Sequence, residues 1–255
     1  MRLEHITWKQ AERYFVDHDT AVIPVGSIEN HGSHLVLGTD FLIPSHITET
    51  IDKELDTLIL PAVPYGIADH HFGFPGTISL GYDGLRLVME RITDCLYRYG
   101  VRKFIFLNGH GGNDPALLDV GLALEDRGAI TALVNWWQLA GELNPRWKGG
   151  HGGGEETAAI LAINPAWVHM EDYMPLTPVD LSAQLKVSGT RTVDFKGANV
   201  IVQRHFQSVT PAGWYGPDDP KDATEEWGCE MLDTVTRYIV AFIREFEQVE
   251  IPPRG

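Results

Sequence analysis

Residues 103–128 read KFIFLNGHGGNDPALLDVGLALEDRG. Lys103 to Leu107 is a short apolar run of the kind that forms a strand buried on both faces. Asn108 to Asn113 is a glycine-rich loop. Asp114 and Pro115 then supply a cap and a first-turn proline for a helix, which Gly128 closes. The same strand–loop–helix grammar extends outward in both directions. Ala21 to Val25 (AVIPV) and Ile130 to Val134 (ITALV) are two further apolar runs. Between them, Asp83 to Tyr99 carries apolar residues at Leu85, Val88, Ile92, Cys95, Leu96 and Tyr99, a period near 3.6. Asp83 reads as its cap and Gly100 as its stop. Gly228 to Phe246 reads as a long C-terminal helix. Strands alternating with helices predict a mostly parallel sheet covered by helices on both faces. In such sheets ligands bind at the carboxyl ends of the strands. The loops GSIENHGSHLVLGTD, NGHGGND and NWW follow the three runs, so they are expected to lie side by side.

The chain has 255 residues, 44% hydrophobic and 22% charged, and is read as one domain over residues 1–255. Its 20 Lys+Arg against 35 Asp+Glu give a formal charge of −15. Such a surface repels nucleic acid and anionic membranes, so neither is expected as a partner. No stretch is long and apolar enough to span a bilayer. The N-terminal MRLEHITWKQAERYF lacks the basic-then-apolar layout of a secretory leader, and the two cysteines, Cys95 and Cys229, read as reduced, buried thiols. Together these predict a cytoplasmic protein.

Three clusters carry chemistry. Glu29 and His31 lie two apart, so in extended backbone they point the same way. A carboxylate and an imidazole converging on one point suit Zn²⁺ or Mn²⁺. Asp40 opens a helix, either as a plain N-cap or as a carboxylate bridging two metals. In NGHGGN, His110 adds an imidazole, while Gly111 and Gly112 let backbone approach a ligand. The spacing does not fit GxGxxG, because Asp114 occupies the third glycine position and would repel a pyrophosphate. This excludes a dinucleotide loop. In HGGGEET, His151 on a glycine turn suits acid/base work. Glu156 could complete a metal site or join the acid/base chemistry, and Glu155 reads as a helix-dipole partner. In Asp69 to Ser79 the residues suit pocket or packing roles. Ser79 is the substrate-contact candidate there, and His70 and His71 are not expected to bind metal together. Trp136, Trp137 and Trp147 read as core, or, for Trp147, as a ring that stacks on substrate. No GxSxG elbow or Cys–His signature supports covalent catalysis.

Gly26-Ser27-Ile28-Glu29-Asn30-His31-Gly32-Ser33-His34-Leu35 with Gly38-Thr39-Asp40 resembles the creatininase (creatinine amidohydrolase) family, which reads G-S-x-E-Q-H-G-P-H-L-P-L-G-T-D. Phe74-Pro75-Gly76-Thr77, NGHGGN, His151 to Thr157 and Gly213…Gly216-Pro217…Ala223…Glu226…Gly228 extend the resemblance over residues 20–230. Asn30 and Ser33 replace the usual Gln and Pro. The resemblance implies a three-layer α/β/α sandwich, homo-oligomers, most often hexamers, and a two-metal hydrolase of small substrates. The metals would be zinc and/or manganese, with iron a third candidate. The ligands implied are Glu29, His31, bridging Asp40 and His110. Creatininase itself has Glu two residues after the NGH histidine, where this chain has Gly112, so the remaining carboxylate is expected from Glu156. His151 matches the family's catalytic histidine and Trp147 a tryptophan that closes over substrate. Other members deformylate a pyrimidine intermediate, trim a peptide in cofactor maturation or hydrolyse a cyclic inosose derivative. The reaction expected is therefore cleavage of a C–N bond in a small, cyclic amide or formamide. The alternatives are hydrolysis of an inosose-type or peptide substrate, or a non-catalytic metal-binding protein on the same fold.

Overall fold

A computed structural model describes residues 1–251. Seven helices and seven strands follow in the order α1 (Trp8–Asp17), β1 (Thr20–Val25), α2 (Thr39–Glu54), β2 (Leu58–Ile59), α3 (Gly81–Arg98), β3 (Lys103–Asn108), α4 (Asp114–Glu125), β4 (Ile130–Asn135), α5 (Trp136–Leu143), α6 (Gly154–Ile163), β5 (Lys186–Val187), β6 (Thr192–Phe195), β7 (Ala198–Ile201) and α7 (Glu225–Glu247). β2-β1-β3-β4 form one parallel sheet. Every residue of β1 and β3 is buried, as their unbroken apolar runs require.

The period of two along each strand divides the core into two. Val22, Ile105 and Leu107 pack against Ile43, Ile47 and Ile51 of α2, Ala140 of α5, Ala159 and Ile160 of α6, and Val235 and Ile239 of α7. Ala21, Ile23, Val25, Phe104 and Phe106 face the other way, onto Tyr14 of α1, Leu85 and Met89 of α3, and Leu117 and Val120 of α4. The result is helices, sheet, helices: the three-layer arrangement expected. Each large side chain buried this way contributes about 1.5–3 kcal/mol relative to exposure.

α6 and α7 cross in close contact. A Cβ on Gly228 would fall 1.8 Å from the Ala158 carbonyl oxygen. Gly228→Ala must part the two helices, and the overpacking is expected to cost about 1–3 kcal/mol. Thermal unfolding would register this as a drop of several degrees.

Several local expectations are corrected. α3 begins at Gly81, and Asp83 makes no capping bond. α4 begins at Asp114, whose carboxylate instead accepts from Asn108 and Asn135. α7 begins three residues before Gly228, with the Thr224 hydroxyl accepting the Trp227 N–H. Both cysteines are free, as expected, but they are exposed. Cys95 falls just outside the buried stripe of Leu85, Met89 and Leu96. A second, antiparallel sheet, β5-β6-β7, has no counterpart in the sequence reading. No described helix is long and apolar enough to cross a membrane.

Candidate metal centre

The loops after β1, β3 and β4 meet at the carboxyl end of the parallel sheet. Asp40 at the start of α2, the glycine loop after β3 and Trp137 at the start of α5 line a cavity of about 350 Å³ together with the turn before α6. Asp40, His110 and Glu156 line this cavity, and Glu29 and His31 are gathered with them, all five buried. His31 Nε2 lies 2.8 Å from Asp40 Oδ1 and 3.8 Å from Glu156 Oε2. His110 Nδ1 lies 3.1 Å from Asp40 Oδ2, and its Nε2 lies 3.2 Å from Glu29 Oε2. Three triads of donor atoms result, Glu29–Asp40–His110, His31–Asp40–Glu156 and Glu29–His31–His151, each with its atoms within 4.8 Å of one another. Asp40 belongs to the first two.

These are N and O donors, the set that suits borderline and hard divalent cations. Glu29 Oε1 and Asp40 Oδ2 are buried without any hydrogen-bond partner. Buried carboxylate oxygens left without partners are costly, and a cation would satisfy them. The residues therefore fit a metal pair.

The electrostatics agree. Burial pushes Glu29 and Glu156 up to about 7, an effect only partly offset by His110 for Glu29 and by His31 for Glu156. Burial works against charge on His31 and His110, but neighbouring carboxylates override it. Asp40 and Glu156 lift His31 to about 10, and Glu29 and Asp40 lift His110 to about 9. Burial likewise opposes charge on Asp40, and the two imidazoles win, holding it well below the carboxylate range. Two imidazoliums thus balance the carboxylates where cations do not.

Local contacts set each donor. The Ser27 hydroxyl donates to Glu29 Oε2 at 2.8 Å, and the Gly152 N–H donates to Glu156 Oε2 at 2.6 Å. Gly112 is tightly enclosed: a Cβ there would lie 2.3 Å from His110 Nε2 and 2.4 Å from the Ile67 carbonyl oxygen. A glutamate at this position would displace the imidazole. The third carboxylate of the cluster comes from the first turn of α6, as Glu156.

His151 borders the same cavity. Its Nδ1 lies 3.8 Å from Glu29 Oε1, and its ring is 4.5 Å from that of His31 and perpendicular to Phe206 at 4.9 Å. Burial and the charges of His31 and His110 hold its pKa well below the usual value, so it is neutral. Gly111 and Gly112 line the cavity. Ser79 and Trp147 do not. The Ser79 hydroxyl accepts the N–H groups of Ala68 and Gly81, bracing the segment that carries His70 and His71. Trp147, 6% exposed, packs into the core beneath α6 and α7. The tryptophan at the cavity is Trp137.

The Asp69–Ser79 loop, expected to serve pocket or packing roles, reaches the site through its histidine pair. Both His70 and His71 line the cavity. Asn30 donates to the Gly213 carbonyl at 2.6 Å and accepts from His71 Nδ1 at 2.6 Å, leaving His71 Nε2 as a lone pair 3.3 Å from Glu29 Oε1. The histidine pair was the available signal. Glu155 is more than a dipole partner: it is buried beside Asp218, whose carboxylate accepts the Glu155 N–H at 2.6 Å. Arg191, from the turn between β5 and β6, also lines the cavity, and nothing in its sequence context marks it.

The profile of the Creatininase family, described as creatinine amidohydrolase, matches residues 4–243. The chain is 25% identical over 243 residues to creatinine amidohydrolase of Pseudomonas putida, covering 81% of this chain and 94% of that protein. It is 33% identical over 150 residues to the mycofactocin precursor peptide peptidase of Mycolicibacterium smegmatis, covering 56% of this chain and 58% of the peptidase. A solved mutant creatininase of Zn-Zn type superposes with a TM-score of 0.77 at 24% identity, over 99% of this chain and 98% of the other. With a family match over nearly its whole length and the same fold, this chain belongs to the creatininase family.

Proposed function

We propose that this chain is a binuclear-metal-dependent amidohydrolase that cleaves a C–N bond in a small, cyclic amide or formamide. The observation that carries the reading is Asp40, a member of two donor triads, with Oδ1 beside His31 and Oδ2 beside His110. Glu29 and His110 would hold one cation, and His31 and Glu156 the other, with Asp40 between them. Zinc and manganese suit these donors, and iron is a third candidate. A bound pair supplies Lewis acidity towards a carbonyl and makes water acidic near neutral pH.

The chain's own residues supply the rest. Neutral His151 takes up at Nδ1, the ring nitrogen on the Glu29 side, the proton that the attacking water gives up, and passes it to the departing nitrogen as the C–N bond breaks. Gly111 and Gly112 present bare backbone to the substrate, and Trp137 offers a flat apolar wall. A cavity of about 350 Å³ is at the small end of ligand sites, which favours a small molecule. The likeness to a peptidase supports a second reading, cleavage of a short peptide end in the same cavity. We further propose a single domain, a cytoplasmic location and a homo-oligomer, with a hexamer favoured by family likeness.

The test is a hydrolysis screen of zinc- and manganese-loaded protein against cyclic amides, formamides, short peptides and creatinine. Turnover of a non-peptide amide that stops on chelation supports the reading. Turnover of peptides alone selects the second reading, and a protein that takes up no metal contradicts both.

Metal uptake should depend on pH in one direction. Binding requires Glu29 and Glu156 to be ionised and His31 and His110 to be neutral. The carboxyls ionise around pH 7 and the imidazoles lose their protons towards 9 and 10. Apparent affinity should therefore rise steadily from pH 6 to pH 9, with protons released on binding. Calorimetry of zinc binding in buffers of different ionisation enthalpy measures both effects.

A further inference from the structure

The cavity has one cationic side chain that none of the proposed chemistry uses. Arg191 sits in the turn between β5 and β6 and, among the described residues, is the only lysine or arginine lining the cavity. Its backbone is fixed: the Arg191 carbonyl accepts the Val202 N–H at 2.9 Å. The base of the turn is closed by the Ser188 N–H donating to the Thr192 carbonyl at 3.1 Å, and by the Ser188 and Thr192 hydroxyls at 3.2 Å. The turn is tied to the metal-side wall as well. Tyr215 pairs its N–H with the His151 carbonyl at 2.8 Å, and its hydroxyl reaches the Val187 carbonyl at the end of β5 at 3.5 Å. Among the described residues, no carboxylate forms an ion pair with the Arg191 guanidinium and no hydrogen bond engages it. Its charge is felt by His70 and Asp114 across the cavity rim. The Asp114 carboxylate is already occupied by Asn108 and Asn135.

A guanidinium on an anchored turn, without a partner, in a chain of net charge −15, is a site for an external anion. We propose that Arg191 determines substrate specificity by pairing with an anionic group, a carboxylate or a phosphoryl, carried by the substrate away from the scissile amide. The inference rests on the amidohydrolase reading for what binds at the other end of the substrate. Without Arg191 the chain's net charge of −15 and the carboxylates lining the cavity would disfavour any anionic substrate. With it, the two ends of one small molecule are read separately, the amide at the Glu29–Asp40–Glu156 cluster and the anion at the β5–β6 turn. Arg suits this task better than Lys, because its planar fork holds a carboxylate or phosphoryl through two hydrogen bonds.

The test uses calorimetry on metal-loaded protein with malonamate, succinamate and glutaramate. Each is compared with its neutral diamide, which matches it in shape and lacks the charge. Phosphonoacetamide forms a second arm, and the arm with the larger Arg191-dependent gain identifies carboxylate or phosphoryl as the preferred group. One charge-assisted bidentate pair should favour the anionic member of the best-fitting set by about tenfold or more. Arg191→Ala should abolish that preference while leaving diamide affinity unchanged, and Arg191→Lys should restore part of it. An equal affinity of the unaltered protein for both members overturns the proposal. So does a preference that survives Arg191→Ala, since the metal cluster would then be reading the anion. Metal content is measured on the same samples. A metal-free protein defeats the amidohydrolase reading, whereas the dependence on Arg191 is read from the binding ratio alone.

Discussion

Asp40→Ala is expected to cost the protein both cations. The two triads that contain Asp40 each lose it, leaving Glu29 with His110 and His31 with Glu156, and only Glu29–His31–His151 keeps three donors, with the His151 ring that the chemistry uses as an acid/base group. Metal analysis should fall from about two equivalents per chain, the number a two-metal site holds, to near none. Any amidase turnover should fall with it by about 10³-fold or more, the scale on which Lewis acidity acts. Glu156→Gln should behave differently, because Glu156 belongs to one triad only. It should weaken one site and spare the other. The two variants together separate a bridging carboxylate from an ordinary ligand. Asp40 is buried against two imidazoles, so the alanine variant is paired with Asp40→Asn, which keeps the shape and removes the charge.

The second large effect belongs to His151. His151→Ala should lower kcat by about 10²–10⁴-fold, the usual worth of a positioned acid/base group. KM and metal content should change little, since Glu29, His31, Asp40, His110 and Glu156 supply the donors without it. Loss of metal together with activity would instead make His151 a ligand, an arrangement open to it because it also lies within 4.8 Å of Glu29 and His31 donor atoms. Metal analysis beside steady-state kinetics distinguishes the two.

The parallel sheet was legible because β1, β3 and β4 are continuous apolar runs ending at Gly26, Gly109 and Trp136, where the chain turns out over the cavity. β2 was not legible, since two residues, Leu58 and Ile59, carry no period. The β5-β6-β7 sheet was hidden for a different reason. Every residue of β7 is exposed, so the strand shows no alternation between buried and solvent faces. The cluster donors were legible because spacing and glycine context act locally: Glu29 and His31 two apart, His110 and Glu156 beside glycines. The choice among similar residues was not legible. Trp137 and Trp147 are chemically equal, and only the packing of α5 against the sheet turns one to the cavity and seals the other in the core. His70 and His71 point apart in extended chain, but the 3-10 turn of Asp69–His71 brings both to the cavity wall. Arg191 arrives from the illegible small sheet, which is why the one cationic wall residue was missed.

The account stands on two cations sharing Asp40. An anomalous difference map from a crystal of the zinc- or manganese-loaded protein measures this directly. Two peaks about 3.5–4 Å apart, one beside Glu29 and His110 and the other beside His31 and Glu156, are the result expected. A single peak away from Asp40, or none after loading, would contradict it.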